Sequence, residues 1–184
     1  VKGFESLCDA ITEAGHNDIR YIIQASSTGI ASSDTLAKKM ARAGFRIVFL
    51  GIENVSEENL RLMKKGNIIE KTKLAVKRLH EQNIMIVGGM IIGNPNDKEE
   101  DIARNYEFFV DSQIDFFADQ ILTPYPKTGM REELLQSGLV TNKYDYSRYN
   151  CFWANVKTNY LESEDIQFLR WKYNKKYAHY ICTT

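Results

Sequence analysis

Two uninterrupted apolar runs constrain this chain more than anything else in it: Ile47-Val48-Phe49-Leu50-Gly51-Ile52, and Ile84 through Gly93. Both are rich in β-branched residues and far shorter than the ~20 residues that cross a bilayer, so they read as strands covered on both faces. Helical spacing fills the intervals between them. Phe4, Leu7, Cys8 and Ile11 fall at i, i+3, i+4 and i+7 and give an amphipathic helix ending near Gly15. Ser33 or Asp34 caps a helix through Leu36, Ala37, Met40 and Ala41, which Gly44 stops. Ser56 opens a short helix closed by Gly66, and Thr72, Ala75, Val76 and Leu79 share one face of a longer one. Asn96 and Glu99 have capping-box spacing ahead of Ile102, Tyr106, Phe109 and Val110. Tyr21–Ala25 and Phe116–Leu122 read as two more strands, and Met130, Leu134 and Leu135 as a helix stopped by Gly138. This alternation is the pattern of βαβ units and a parallel sheet, hence an α/β fold. Four strands are too few to close an eight-stranded barrel, which leaves an open sheet or a piece of a larger barrel.

Charge and composition exclude several functions. Twenty-four Lys and Arg balance 24 Asp and Glu in 184 residues, so nothing electrostatic selects nucleic acid or an anionic membrane as partner. The start, Val1-Lys2-Gly3-Phe4-Glu5, has no signal-peptide pattern and no initiator Met, and reads as a cut from something longer. Cys8, Cys151 and Cys182 are too few and too far apart for a disulfide framework or a Cys-rich metal cluster; a reducing cytoplasm is the default expectation. After residue 140 the composition changes. Seven of the ten tyrosines and both tryptophans, Trp153 and Trp171, lie there. Residues 139–162 read as irregular chain, and Ser163 caps a last helix presenting Ile166, Leu169, Tyr173 and Tyr177. The expected organisation is a βα core over 1–138 and an appended aromatic-rich segment over 139–184 that packs on it.

Ligands of parallel α/β proteins bind at the carboxyl ends of strands. Those ends read Gly51-Ile52-Glu53-Asn54, Gly89-Met90-Ile91-Ile92-Gly93-Asn94-Pro95 and Thr123-Pro124-Tyr125-Pro126-Lys127-Thr128, and they carry all three prolines of the chain. Proline stiffens such a loop, and alternate glycines let a flat ligand lie against backbone. Each feature has a plainer reading. A Gly-x-x-x-Gly run in a strand is more often a packing site, Glu53 can cap or pair with lysine, and Lys64, Lys65 and His80 suit solvated helix ends. An aromatic tail is more often core than a stacking platform.

In order and spacing, GIEN, MKKG, GGMIIGNP and LTPYPKT resemble the second half of the radical S-adenosylmethionine (SAM) barrel. The resemblance is greatest to enzymes carrying a cobalamin domain, such as the anaerobic magnesium-protoporphyrin IX monomethyl ester cyclase type. It implies the C-terminal portion of a partial (β/α)6 TIM-like barrel. It also implies an enzyme that binds SAM beside a [4Fe–4S] cluster and generates a 5′-deoxyadenosyl radical acting on a small-molecule substrate, with cobalamin in the parent protein. By the same resemblance Glu53 lies near the ribose and methionyl part of SAM, with Asn54 where relatives have Ser. Gly89, Ile91 and Gly93 match a GxIxG pattern that contacts adenine, and Asn94 and Pro124 complete the expected site. Lys127 stands where relatives have Gly, and Ser26, Ser27 and Thr28 where they often have Arg and Asp. The family's CxxxCxxC is absent and is expected upstream of Val1, so the rest of the parent barrel is an expected partner and the chain alone is expected to be inert. Two rivals stand beside this reading: a nucleotide- or phosphate-binding (βα) enzyme with Glu53 as general base, and a non-catalytic module that binds a partner through the aromatic segment. Burial of Tyr173 and Tyr177 would disfavour the second, and a large exposed aromatic patch would favour it.

Overall fold

The computed structural model describes residues 1–56, 59 and 69–183. The helix expected to close at Gly66 and the MKKG motif, with Lys64 and Lys65, fall outside the described residues. The elements are α1 (Lys2–Glu13), β1 (Tyr21–Ala25), α2 (Ser27–Ala31), α3 (Leu36–Arg42), β2 (Phe45–Glu53), α4 (Ile69–His80), β3 (Met85–Ile92), α5 (Glu99–Asp111), β4 (Phe116–Ile121), α6 (Gly129–Gln136), one 3₁₀ turn (Tyr146–Arg148) and α7 (Ser163–Thr183). The strands are parallel and form one sheet in the order β1-β2-β3-β4, the α/β architecture that the alternating periodicities predict. Among the described residues no helix is long and apolar enough to cross a membrane.

Two compact units divide the described residues. The first takes in 1–53, 69–89 and 109–118. Here Val48, Leu50 and Ile52 of β2 are fully buried, with α2 and α3 packed on the strand. The opposite face is less covered than the apolar runs suggest: Ile47, Phe49, Gly51 and Glu53 are half-buried and Ile22 is 68% exposed. Thus β1 and β2 alternate in burial despite their continuous apolarity. The start of α3 uses Ser33 as expected, its Oγ accepting from the Leu36 amide at 3.2 Å, although Thr35 occupies the cap position. Gly44 ends that helix at φ +99, where a Cβ would stand 2.3 Å from the Ile19 carbonyl oxygen, so only glycine fits.

The second unit takes in 54–56, 59, 90–108 and 119–183. Its interior is built on Met90, Ile92, Ile102, Tyr106, Ile121, Ile166, Leu169 and Tyr173. The capping box expected from Asn96 and Glu99 does not form. Instead the Asp101 carboxylate reaches back to the Lys98 amide at 3.0 Å, and Asn96 Oδ1 accepts from Asn159 at 2.8 Å. Tyr106 donates to Asp119 Oδ2 at 2.6 Å and stacks on Tyr173 with ring centroids 5.1 Å apart. Arg170 pairs with Asp119 Oδ1 at 3.1 Å. Ser163 is the first residue of α7, and Asp165 receives the Glu162 amide at 3.0 Å.

Candidate cofactor-binding site

In the second unit the ends of β3 and β4 meet: the Leu122 amide donates to the Ile92 carbonyl at 2.9 Å. Just beyond β3 the chain turns at Gly93, with φ +82. A Cβ at Gly93 would meet Ile121 and Ile166 at 3.5 Å, ordinary contact, so backbone conformation and not space requires glycine. The turn is fixed by Asp97. Its carboxylate accepts the Asn94 amide at 2.9 Å, Asn94 Nδ2 at 3.2 Å and Asn59 Nδ2 at 2.6 Å. Asp97 is fully buried, and that burial pushes its carboxyl up to about 6 although every one of these donors pulls the other way. The Ile91 carbonyl accepts from both Asn54 and Asn94 side chains at 3.2 Å. Asn54 Oδ1 takes the Ser56 amide, and Asn105 Oδ1 takes the Val55 amide, both at 2.8 Å. Ile91, Gly93 and Asn94 therefore stand together, cross-linked by buried amides, while the Ile91 side chain is half-buried.

The loop after β4 is held from below by Arg131. Its Nη1 donates to the Pro124 carbonyl at 2.8 Å and to Tyr149 Oη at 2.7 Å, and its Nη2 to the Lys143 carbonyl at 2.8 Å. Thr128 caps α6 by accepting the Arg131 amide at 3.3 Å. Lys127 has φ 63, so this lysine adopts the left-handed turn that a glycine would take without strain. Tyr125 Oη lies 3.1 Å from Cys151 Sγ.

In the first unit Glu53 ends β2 at φ 71, a conformation uncommon for a non-glycine residue and shared here by Asn83, Gln113, Lys127 and Cys151. Over Gly89 the space is taken by Phe49: an added Cβ would lie 2.7 Å from the ring. Among the described residues no group of three His, Cys, Asp or Glu stands together as a metal site. Cys8 is buried and its thiol is pushed up to about 11 by that burial, which disfavours the thiolate an iron–sulfur cluster needs. Nothing among the described residues fits such a cluster. Within the second unit, the rigid Gly93 turn and the half-buried Ile91 beside it present a flat stretch of backbone and apolar surface on which a ring could lie.

Asp97, Arg131, Asn105 and Thr158 escape the sequence reading. The Asn94-Pro95-Asn96-Asp97 composition signals a side-chain-bonded turn and could have pointed to Asp97. Nothing local marks Arg131, whose partners lie up to 18 residues away.

A family model described as the Radical SAM superfamily matches residues 2–109. The chain belongs to that superfamily. It is 29% identical over 138 residues to the bacteriochlorophyllide d C-8(2)-methyltransferase of Chlorobaculum tepidum, covering 74% of this chain and 30% of that protein. Over 150 residues it is 27% identical to the anaerobic magnesium-protoporphyrin IX monomethyl ester cyclase of Cereibacter sphaeroides, covering 81% of this chain and 24% of that protein. The chain thus spans under a third of either relative. Coproporphyrinogen III oxidase (HemN) of Escherichia coli, a radical SAM enzyme, superposes with a TM-score of 0.69 at 11% identity, over 95% of this chain and 37% of that one. The radical SAM methyltransferase TsrM of Kitasatospora setae, whose structure holds cobalamin and a [4Fe–4S] cluster, gives 0.65 at 19%, over 77% and 29%. These likenesses show the fold, that of a partial radical SAM barrel.

Proposed function

We propose that this chain is the SAM-binding portion of a cytoplasmic radical SAM enzyme acting on a small molecule, with its [4Fe–4S] ligands elsewhere in the parent protein and cobalamin as a further cofactor there. When bound beside such a cluster, SAM supplies a 5′-deoxyadenosyl radical. This chain's own residues bind and orient. The Gly93 turn and Ile91 offer adenine a flat apolar seat, Glu53 accepts from a ribose hydroxyl or the ammonium group, and Gly89, Asn94 and Pro124 set the backbone around them. The observation that carries this reading is the Gly93 turn, held in the left-handed conformation by Asp97 at the position where the superfamily resemblance puts adenine. Without cluster cysteines, the isolated chain binds SAM but turns nothing over.

Calorimetric titration of SAM into the chain, corrected for folded fraction, tests this. Gly93→Val should weaken binding by about 1–3 kcal/mol, because a β-branched residue cannot hold φ +82 without moving the turn. Glu53→Gln keeps the shape and should cost about 1–2 kcal/mol. Equal affinity in both variants would sink the assignment.

A further inference from the structure

The second unit carries a groove that the SAM reading does not use. It has a volume of about 560 Å³ and lies along the N-terminal half of α7. Trp153, Phe168 and Trp171 line it and remain 49%, 56% and 56% exposed. So much aromatic surface left open in one concave place marks a binding site more often than a packing defect. Phe168 and Trp171 stand 5.7 Å apart at a tilt of 32°, offering a stepped aromatic floor. Gln167 stiffens the wall, its Oε1 accepting the Ala154 amide at 2.9 Å and its Nε2 donating to the Phe152 carbonyl at 3.0 Å.

Charge narrows the occupant. Arg148 lines the groove with its guanidinium 5.5 Å over the Trp153 ring, and Lys175 lies 5.1 Å over Trp171. Residues 139–178 hold seven Lys and Arg against four Asp and Glu, in a chain whose total is neutral. Arg148 pairs with Asp145 through Nε at 3.4 Å, an exposed contact that an incoming carboxylate can displace at little cost. Glu164 lines the same groove, which argues against a multiply charged phosphate and for a single negative charge. We propose that this groove binds a planar aromatic carboxylate, its ring on Trp153, Phe168 and Trp171 and its anion on Arg148.

Trp153 and Trp171 are the two tryptophans of the chain, so emission reports this groove directly. The probes are 4-nitrobenzoate, which quenches tryptophan on contact, and its neutral twin 4-nitrobenzamide. Saturable quenching by the acid is expected, with the amide roughly tenfold weaker, the loss of one charge-assisted contact. Arg148→Gln should bring the acid down to the amide's affinity. That variant should fold, because Arg148 supports the fold through its backbone carbonyl, which takes Asn155 Nδ2 at 2.8 Å, and its side chain is 61% exposed. Equal, non-saturating quenching by both probes would overturn the proposal. So would tryptophan emission that shifts with protein concentration alone, which would make a second copy of the chain the occupant. The titration needs no SAM, so its failure leaves the SAM assignment standing.

Discussion

The two units bury different chemistry. Among the described residues, the first hides three polar side chains, Ser27, Thr72 and Ser112, and none of those hydroxyls has a hydrogen-bond partner. The second hides ten, including Asn54, Asn94, Asp97, Asn105, Asp119, Arg131 and Asn155, and only Asn59 Oδ1 lacks a partner. The first unit is therefore specified by volume and apolar contact, with polar atoms tolerated as defects. The second is specified by hydrogen-bond geometry that fixes the loops after β3 and β4. A scaffold can be built the first way, since apolar packing tolerates exchange of shape. A recognition surface needs the second, because directional bonds hold backbone atoms where a ligand requires them.

The largest effect should come from exchanging conservative substitutions between the two. Arg131→Met strands the Pro124 and Lys143 carbonyls, while Tyr149 Oη keeps its own bond to the Asn142 carbonyl at 2.6 Å, and should cost about 3–4 kcal/mol. Arg131→Lys should recover less than half of it, since an ammonium group cannot reproduce the planar fork. Leu50, fully buried on β2, should lose about 2–5 kcal/mol as Ala. As Met it should lose less than about 1.5 kcal/mol. Denaturant unfolding measures all four. If lysine at 131 proves as mild as methionine at 50, the two interiors do not differ in the way described.

Asp97 sharpens the contrast through pH. Its carboxyl holds a proton up to about 6 in the folded chain, above the 3.8 of an exposed aspartate, so between those values the folded state binds more protons than the unfolded. Its stabilising contribution is complete below about pH 4 and is lost as pH rises through about 6, roughly 2–3 kcal/mol in all. Asp97→Asn should remove that slope, since an amide does not titrate. Unfolding curves for both proteins from pH 4 to 7.5 decide it. An unchanged slope in the variant would mean that Asp97 is not the titrating group.

The same division explains what the sequence discloses. The apolar strands, the Leu36–Ala37–Met40 face and the glycine stops at 44 and 138 are local patterns, and each appears where its periodicity puts it. The face of α1 is misjudged in part, since Cys8 is buried but Leu7 stays 50% exposed. Likewise α2 is missed, being five residues long with no period to detect. The aromatic segment splits: Tyr173 is buried in the second unit, Tyr177 is half-buried, and Trp153 and Trp171 are half-exposed. Neither plain core nor plain interaction module describes it. Candidate site residues follow from backbone demands such as Gly93, but their supports do not. Asp97 with Asn59, and Thr158 with Asp97, are pairings across 38 and 61 residues, which no local pattern encodes.

The smallest effect is also the most discriminating, because it changes sign between the units. Thr72 Oγ1 is fully buried on α4 with no hydrogen-bond partner among the described residues. Valine has nearly its shape and no hydroxyl to desolvate, so Thr72→Val should stabilise by about 0.5–1 kcal/mol. That is a rise in Tm of roughly 1–4 °C for a chain of this size. Thr158 is as deeply buried but fully used: its Oγ1 donates to the Asp97 carbonyl at 2.8 Å and accepts the Tyr160 and Leu161 amides at 3.0 and 2.9 Å. Thr158→Val leaves those three groups without a partner and should destabilise by about 1–2 kcal/mol. The chemistry removed is identical and the burial is comparable, so only the surroundings can reverse the sign. Thermal unfolding of the two variants measures this, and a loss at both positions would mean that the hydroxyl of Thr72 is bonded after all.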